Sequence, residues 1–464
     1  MGIAGTAMGS LAGMLKDAGY AVTGSDTAVY PPMSDYLADL GIPVMEGFNA
    51  KNLDYGPDLV VVGNVIRAVY EEAAALVASD LPYLSFPQIL GELFLRDAHA
   101  VVAAGTHGKT TTTAIAAWLL ESAGLEPGFL IGGRALNFDR TARRGAGTHF
   151  VIEGDEYDTA FFDKRPKFIH YRPRTCILTS VEFDHADIYT DLDHVKRSFR
   201  TLMEILPEDG LLILRGDDPG AVEVAEAARC EVWRYGPGFE WDGRIEEIDT
   251  ERGVMRFTVL RDGEALGTYT SIMVGEHNLY NQVAAAAAAI RQGVSPEALA
   301  EGFASFRGIK RRQEVRGEPG GVTVVDDFAH HPTAVKVTLE ALRQRFGQRR
   351  LWAVWEPRSA TSRTRVFQDA YAEAFDEADQ VIIGAPYDQS RLEDGERFSA
   401  GELVEALSAR GKDALTLADP SDIAHTLAAR AHPGDVIAVL SNGAFGGLHA
   451  QLLDLLEVRF EGKR

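Results

Sequence analysis

Residues 103–113, which read AAGTHGKTTTT, carry the clearest chemical signature in the chain. Gly105 and Gly108 let backbone N–H groups turn toward bound oxygens, and Lys109 supplies a positive charge for the outer phosphates. The hydroxyl of Thr110 is suited to a magnesium ion. This pattern predicts a nucleoside triphosphate site. The other candidate residues of this nucleotide site are Thr106, His107 and Thr111.

The loop is shorter than most phosphate-binding loops. A usual P-loop has about four residues between its first glycine and the Gly-Lys pair, whereas only Thr106 and His107 separate Gly105 from Gly108. This spacing excludes most P-loop families. The alternative is an ordinary strand-to-helix turn with an exposed lysine. The β-type run before the loop and the helical run after it favour the phosphate site.

Acidic residues follow two of the predicted strands. The strand that begins at Phe150 runs into Glu153 and an acidic cluster that extends to Asp158, and a strand over 176–179 leads to His185. Carboxyl ends of parallel strands meet at the crevice where α/β folds bind ligands. We expect magnesium and the triphosphate there, because magnesium prefers oxygen ligands. The alternatives are a solvated loop acid at Glu153 and an ordinary polar histidine at His185.

Two further groups of polar residues stand out. His277 and Asn281 lie four residues apart at a predicted helix start, so they share a face and are placed to bracket a flat base or its ribose. The alternative is helix capping by Asn278. The pair His330-His331 suggests a metal site, but no cysteine or third histidine at ligand spacing supports it.

Composition narrows the function classes. The 464 residues carry a formal net charge of −22, which argues against nonspecific binding to nucleic acid or to an anionic membrane. Two cysteines are too few for a disulfide framework or a cysteine-based zinc site, and they favour a reducing cytoplasm. No apolar run approaches the roughly 18 residues that a membrane span needs.

The length predicts about three domains. Strand and helix patterns alternate throughout, which predicts an α/β fold with domains over 1–97, 98–312 and 313–464. The first unit has the glycine loop and the acidic residue, Asp26, of a Rossmann-like fold. No strand precedes that loop, so we expect either that the first strand is absent or that the recorded start falls short. The third unit reads as a second doubly wound, Rossmann-like sheet.

Six motifs occur together in an order that resembles the Mur ligases, the ATP-dependent amide-forming enzymes of peptidoglycan synthesis. They are GTHGKT at 105–110, the acidic cluster from Glu153, FDH at 183–185, HNLYN at 277–281, KRR at 310–312 and DDFAHHP at 326–332. The resemblance covers essentially the whole chain. It implies a Rossmann-like domain for the UDP-substrate, a central P-loop ATPase-like domain, and a C-terminal Rossmann-like domain that brings the amine.

The resemblance also implies roles at the matching positions. Lys109 would hold the β- and γ-phosphates, Thr110 and Glu153 would bind magnesium, and His185 would join a second ion. Lys109, Glu153 and His185 are thereby the candidate catalytic residues. His277 and Asn281 match the family's adenine and substrate-side positions. Arg312 and Asp327 match the linker arginine and the C-terminal aspartate that close over the triphosphate and ribose. Uridine contacts are implied for Gly5, Thr6, Ser25 and Asp26.

Two amine substrates remain open within the family. Stretches 6–9, 157–165, 356–359 and 441–447 favour joining UDP-N-acetylmuramate to the tripeptide L-alanyl-γ-D-glutamyl-meso-diaminopimelate, a reaction of peptidoglycan recycling. The alternative is free L-alanine, in de novo synthesis. We expect Arg358 and Asn442 to contact the tripeptide, because an anionic peptide needs more positive and amide donors. Lys196 is a candidate, by position, for the carbamylated lysine that some Mur ligases carry.

Two other classes of function are weighed against the ligase. A nicotinamide-dependent oxidoreductase is suggested by the N-terminal glycine loop and Asp26, but the magnesium-ATP residues count against it. A non-catalytic regulator would use the same nucleotide pocket, and removal of the Lys109 ammonium distinguishes it from an enzyme.

Overall fold

The N-terminal region is built from short parallel strand pairs and helices. The structure is a computed structural model that describes residues 1–30 and 33–461. Strand β1 pairs with β2 and β3 pairs with β4, each in parallel. The strands are β1 (Gly24–Asp26), β2 (Val44–Glu46), β3 (Val60–Val62) and β4 (Tyr83–Ser85). The helices are α1 (Thr6–Asp17), α2 (Met33–Asp39), α3 (Glu71–Val77) and α4 (Phe86–Leu90), and α4 runs into a π-helical turn, Gly91–Leu95.

The first residues lie where an incoming strand would stand. The backbone N–H groups of Gly2 and Ile3 donate to the carbonyl of Ser25 at 2.8 and 3.2 Å, and Gly63 N–H donates to the Met1 carbonyl at 3.1 Å. This segment does not form a regular strand, in agreement with the expectation that the first strand is absent. Its hydrogen bonds nevertheless connect the two strand pairs. The sequence pattern also predicts a strand over 20–24, but in the structure only Gly24 to Asp26 pair with β2.

A ten-stranded mixed sheet forms the central region, in the order β16-β15-β14-β13-β12-β11-β5-β8-β6-β7. Its strands are β5 (His99–Ala104), β6 (Gly128–Ala135), β7 (Arg140–Arg143), β8 (His149–Gly154), β11 (Thr175–Leu178), β12 (Leu211–Arg215), β13 (Glu231–Tyr235), β14 (Trp241–Asp249), β15 (Val254–Arg261) and β16 (Glu264–Ser271). A separate hairpin joins β9 (Asp158–Ala160) to β10 (Asp163–Pro166). The helices are α5 (Lys109–Ser122), α6 (Leu192–Glu204), α7 (Pro219–Ala225), α8 (Glu276–Arg291) and α9 (Pro296–Ser305).

The C-terminal region has a six-stranded sheet in the order β17-β18-β22-β19-β20-β21, in which only the edge strand β17 runs antiparallel to its neighbour. The strands are β17 (Glu314–Gly317), β18 (Thr323–Asp327), β19 (Leu351–Trp355), β20 (Gln380–Gly384), β21 (Asp413–Leu417) and β22 (Val436–Leu440). The helices are α10 (Pro332–Phe346), α11 (Ala370–Ala374), α12 (Ala400–Ala409), α13 (Pro420–Arg430) and α14 (Leu448–Glu461). Separate apolar clusters pack on the two faces of this sheet, so the predicted doubly wound arrangement is confirmed.

The alanine-rich helix α8 lies against the phosphate-loop helix α5. Residues 284–289 are all alanine and all buried in the cluster that also contains Ile115 and Leu119 of α5. Small side chains let the two helix backbones approach closely, which holds the start of α5 in place. Among the residues that the structure describes, no helix is long and apolar enough to cross a membrane.

Candidate active site

Two glycines shape the phosphate loop between β5 and α5. Gly108 has a φ of +78° and precedes the first helical residue, Lys109. A Cβ at Gly108 would lie 2.7 Å from the Asn281 side-chain oxygen, and one at Gly105 would lie 2.2 Å from Thr179 Oγ1. The loop therefore requires glycine for its backbone angle and for its close neighbours.

Lys109 is held at the centre of the loop by its own backbone and by a buried acid. Its Nζ donates to the Gly105 carbonyl at 2.5 Å, to the Thr106 carbonyl at 3.2 Å and to Glu156 Oε1 at 3.0 Å. Burial alone would lower the pKa of Lys109, but the charges of Glu156 and Glu153 outweigh it and the pKa is raised. The ammonium is thus charged, and Lys109 lines the cavity beside the loop.

The predicted magnesium ligands Thr110 and Glu153 contact each other directly. Thr110 Oγ1 donates to the two Glu153 oxygens at 3.0 and 3.1 Å, and Gly132 N–H donates to Glu153 Oε2 at 2.8 Å. Arg312 Nη2 donates to Thr110 Oγ1 at 3.2 Å. The pair therefore joins β8, the start of α5 and the chain that leads to the C-terminal sheet.

The third predicted ligand, His185, belongs to a neighbouring group around Glu156. Its Nε2 lies 3.1 Å from Glu156 Oε1 and its Nδ1 lies 2.7 Å from the Tyr157 hydroxyl. His185 has a φ of +55°, a strained value for a residue with a side chain. Burial disfavours the charged ring, but the Glu156 hydrogen bond and charge raise the pKa of His185. The three predicted ligands thus form two groups, which Lys109 links through Glu156.

Glu156 is the residue that best tests whether a cation fits. Its side chain is buried, and its Oε2 has no hydrogen-bond partner among the residues that the structure describes. Burial disfavours the ionised form, yet Lys109 and His185 hold the pKa of this carboxyl below its usual range. An ionised, buried carboxylate oxygen without a partner suits a hard cation. Sequence reasoning included Glu156 in the acidic cluster but singled out only Glu153.

One cavity of about 580 Å³ collects most of the predicted nucleotide residues. The cavity is lined by Thr106, His107, Gly108, Lys109, Thr110, Thr111, Glu153, Glu156, His185, His277, Asn281, Arg312 and Asp327, among others. Gly105 is not a lining residue but contributes the carbonyl that Lys109 contacts. The carboxyl ends of β5, β8, β11 and β12 surround this cavity, as the strand-end argument predicts.

His277 and Asn281 both line the cavity from α8, in different ways. Burial lowers the pKa of His277 to about 4, so its ring is neutral at physiological pH. Asn281 Oδ1 accepts from Thr112 Oγ1 at 3.3 Å, beneath the phosphate loop. The alternative reading of Asn278 as the helix cap is wrong: Gly275 occupies the cap position, and the Asn278 amide donates to the Val274 carbonyl at 2.9 Å.

Arg312 and Asp327 line the cavity on the side of the C-terminal sheet. Asp327 ends β18 and accepts backbone N–H groups from Gln313 and Ala329, each at 2.8 Å. The Arg312 guanidinium lies 4.8 Å from the Phe328 ring centre. Burial lowers the pKa of Arg312 and raises that of Asp327. Arg312, in the segment that joins the two sheets, and Asp327, in the C-terminal sheet, therefore both border the cavity.

Arg215 is a cavity residue that sequence reasoning missed. It ends β12, and its guanidinium lies 4.2 Å from the Tyr280 ring centre. Asp217 and Tyr235 line the same side of the cavity. The rule that pointed to Glu153, a polar residue at the carboxyl end of a parallel strand, would have identified Arg215 as well.

The proposed tripeptide contacts lie beyond the nucleotide cavity. Arg358 follows β19, its guanidinium is 3.9 Å from the Tyr387 ring centre, and its Nη1 donates to Glu356 Oε1 at 3.3 Å. Asn442 follows β22 and its buried Oδ1 has no partner. The two residues are neighbours, because a Cβ on Gly443 would overlap the Arg358 side chain. The chain therefore offers a cation and a free amide oxygen at one sheet edge.

The four candidates for uridine contacts lie in the N-terminal region, and none of them lines the nucleotide cavity. They are Gly5, Thr6, Ser25 and Asp26. Gly5 precedes α1, which begins at Thr6. Ser25 Oγ donates to Glu72 Oε1 at 2.9 Å, and Asp26 Oδ2 accepts the Ala4 N–H at 2.9 Å. Asp26 thus fixes the glycine loop at the amino end of α1.

Lys196 lies outside the cavity lining. Its ammonium pairs with Glu223 of α7. This placement gives no support to its selection as a modified lysine near the magnesium.

Three family models match successive parts of the chain. The Mur ligase family catalytic domain matches residues 1–97, the Mur ligase middle domain matches 103–289, and the Mur ligase glutamate ligase domain matches 311–443. The first match includes the glycine loop and Asp26, the two features that suggested a nicotinamide-dependent enzyme. They are therefore explained by membership of the Mur ligase family.

Individual relatives match over nearly the full length. The chain is 42% identical to UDP-N-acetylmuramate–L-alanyl-γ-D-glutamyl-meso-2,6-diaminoheptandioate ligase of Escherichia coli, covering 99% of this chain and 98% of the relative. It is 35% identical to UDP-N-acetylmuramate–L-alanine ligase of Roseiflexus, covering 96% and 95%. The crystal structure of a murein peptide ligase from Psychrobacter arcticus aligns with a TM-score of 0.70 at 36% identity, covering 98% of both chains.

Proposed function

The chain belongs to the Mur ligase family, and we propose that it joins UDP-N-acetylmuramate to the tripeptide L-alanyl-γ-D-glutamyl-meso-diaminopimelate while converting ATP to ADP and phosphate. The 42% identity to the Escherichia coli ligase named for this reaction is the observation that carries the choice of amine. The lower identity of 35% to an L-alanine ligase makes free L-alanine the second candidate. The reaction belongs to peptidoglycan recycling.

The first chemical step activates the muramate carboxylate, which is a poor electrophile by itself. One of its oxygens attacks the γ-phosphorus of ATP, ADP leaves, and an acyl phosphate remains. Lys109 binds the β- and γ-phosphates, and the backbone N–H groups of the 105–110 loop surround them. His277, Asn281, Arg312 and Asp327 complete the nucleotide site. Catalysis at this step consists of positioning and charge neutralisation.

Magnesium fits the carboxylates of this cavity. Glu153 and Glu156, together with Thr110 and His185, would hold it, and the free Oε2 of Glu156 supports this assignment. The ion supplies positive charge that lets the triphosphate and the muramate carboxylate approach each other. Glu156 also keeps the Lys109 ammonium in place through the 3.0 Å contact.

The second step forms the amide. The unprotonated α-amine of the tripeptide attacks the acyl carbon, phosphate leaves from the tetrahedral intermediate, and the nitrogen gives up a proton. Arg358 and Asn442 bind the tripeptide at the edge of the C-terminal sheet. The Arg312–Asp327 segment brings this sheet against the nucleotide cavity, so the amine reaches the acyl phosphate.

The N-terminal region binds the uridine nucleotide of the substrate. Gly5, Thr6, Ser25 and Asp26 contact the uridine nucleotide, and the domains extend over 1–97, 98–312 and 313–464. We place the reaction in the cytoplasm, where the free thiols of Cys176 and Cys230 are stable.

A comparison of amines tests the proposal. Purified protein with ATP, magnesium and UDP-N-acetylmuramate receives either the tripeptide or L-alanine, and phosphate release and product mass are recorded. We expect turnover with the tripeptide and a product whose mass increases by the tripeptide minus water. Turnover with L-alanine alone would transfer the assignment to the second candidate, and phosphate release without amide product would contradict ligation.

A further inference from the structure

A second group of metal-ligand side chains lies beside the phosphate loop. His107, Glu182 and His331 each offer one ligand atom, and these atoms all lie within 4.8 Å of one another. His107 Nε2 is 3.4 Å from Glu182 Oε2, and His331 Nδ1 is 3.7 Å from the same oxygen. None of the three contacts the Glu153 carboxylate or His185 through a hydrogen bond in the described residues.

The three ligands come from distant parts of the chain. His107 belongs to the phosphate loop, Glu182 to the loop after β11, and His331 to the amino end of α10 in the C-terminal region. The two imidazole rings are 4.7 Å apart, centre to centre. The pair His330-His331 has no cysteine or third histidine at ligand spacing in the sequence, but the folded chain places His107, more than two hundred positions earlier, beside His331.

The orientation of His331 is that of a metal ligand. Its Nε2 lies 3.2 Å from the Phe183 carbonyl, so this nitrogen carries the proton and leaves the lone pair on Nδ1. Nδ1 faces Glu182 and accepts only a long 3.3 Å contact from Thr333 N–H. A backbone carbonyl behind an imidazole is the usual arrangement for a ligating histidine.

The Glu182 carboxylate is oriented by the C-terminal region. Thr333 Oγ1 donates to Glu182 Oε2 at 2.8 Å, so the oxygen that faces both imidazoles is held by a residue two positions after His331.

We propose that His107, Glu182 and His331 bind a zinc ion, or another divalent ion that prefers nitrogen ligands. Two imidazoles and one carboxylate form a common three-ligand zinc set that leaves one position open. The site is distinct from the magnesium site, whose residues offer mainly oxygens. The bound ion joins the phosphate loop to α10, so it fastens the C-terminal region onto the nucleotide cavity.

Cobalt absorption in excess magnesium tests the proposal on the full-length protein. Cobalt replaces zinc in nitrogen-containing tetrahedral sites and absorbs strongly in the visible range there, whereas excess magnesium fills oxygen sites. We expect one strongly absorbing cobalt ion per chain, and loss of the absorption when zinc is added. His331→Asn should lose the absorption, because asparagine keeps the helix cap but removes the imidazole. Glu182→Gln, which keeps the size of the side chain, should lose it as well.

Two control variants make the result specific. His330→Asn changes the adjacent histidine and His185→Gln changes the nucleotide-site histidine, and both should keep the absorption. Circular dichroism and thermal melting establish that each variant is folded. Absence of the signal in the unmodified protein, or its persistence in folded His331→Asn and Glu182→Gln, would overturn the proposal. Loss in His185→Gln alone would assign the ion to the nucleotide site instead.

Discussion

Three neighbouring strands of the central sheet, β5, β8 and β11, carry different kinds of polar residues at their amino ends and at their carboxyl ends. Their amino ends carry His99, His149 and Thr175. His99 pairs with His149 across the sheet, the rings are 5.7 Å apart, and His99 Nε2 lies 2.9 Å from Thr175 Oγ1. Their carboxyl ends lead to the phosphate loop, to Glu153 and Glu156, and to the loop with Glu182 and His185.

The difference shows that residue type alone does not identify a site. Histidines occur at both ends, but at the amino ends His99 is hydrogen-bonded to Thr175 and packs near His149. At the carboxyl ends they surround a cavity of about 580 Å³ and include a buried carboxylate oxygen without a partner. Parallel strands direct the following loops to one edge, so that edge gathers side chains from many parts of the chain.

Removal of the Lys109 ammonium should have the largest effect. Lys109→Met keeps a long side chain but removes the charge that holds the outer phosphates, and we expect a loss of turnover of about 10³-fold or more. ADP formation, followed with a coupled assay, measures it. Lys196→Met is the matched control, because Lys196 pairs with Glu223 outside the cavity. Unchanged turnover in Lys109→Met would contradict the assignment of residues 105–110 as the phosphate loop, and absence of turnover in the unmodified protein would indicate a non-catalytic nucleotide-binding protein.

Neutralising Glu156 comes next. Glu156→Gln keeps the shape but removes the charge that faces Lys109, so we expect a fall in kcat of about 10²-fold and a requirement for more magnesium. Magnesium titration of the initial rate measures both. Glu121→Gln, which alters an acid paired with Arg143 on the far part of α5, should behave like the unmodified protein. An unchanged magnesium dependence would exclude Glu156 from the ion site.

Loss of Arg358 should affect the amine alone. Arg358→Ala removes the cation beside Asn442, and we expect the KM for the tripeptide to rise by about 10- to 100-fold with the KM for ATP unchanged. Arg365→Ala is the control, because Arg365 pairs with Glu402 at the surface. Equal increases in both KM values would instead indicate a general loss of structure at this edge.

A change at His99, at the amino end of β5, should give the smallest effect, and this effect should be on stability only. Burial, and then His149, lower the pKa of His99 from 6.5 to about 4. The unfolded chain then binds more protons than the folded chain between these values, so stability is full above the unfolded pKa and falls as the pH drops toward 4. His99 is partly exposed, so we expect only about 1 kcal/mol of pH-dependent stability from it.

His99→Gln tests this assignment. The variant should keep its activity, and its melting temperature should fall less than that of the unmodified protein as the pH is lowered from neutral toward mild acid. Parallel pH series of thermal melting measure the difference. A strong loss of turnover would contradict the separation between the two ends of the sheet.

Local patterns were enough to predict much of the nucleotide site. The phosphate loop, Glu153 and the strands that precede them were recognisable because strand, glycine loop and helix follow one another within about a dozen residues, and backbone angles depend on neighbours in sequence. The sequence pattern predicts a strand over 351–355, and β19 begins and ends there. The strand predicted over 20–24 is displaced to Gly24–Asp26, because pairing with β2 and not local propensity sets its ends.

Contacts between distant segments were beyond the reach of the sequence. Asn278 was a plausible helix cap by its position, and the structure places Gly275 there instead. The acidic cluster marked a region, but only the folded chain distinguishes Glu156, whose buried oxygen has no partner, from its neighbours. The strand-end rule marks Arg215 in the sequence as it marks Glu153, but only the order of the strands in the sheet shows that Arg215 lines the same cavity.

The phosphate loop illustrates the division. The sequence by itself determined the strand, glycine loop and helix around residues 105–110 that predict a phosphate site, because glycine freedom, a helix start and a lysine charge are local properties. Only the tertiary structure decided what surrounds this loop: Asn281 beneath Gly108, Glu156 against Lys109, and His331 opposite His107. Those partners lie far away in the chain, and packing of the two sheets brings them together.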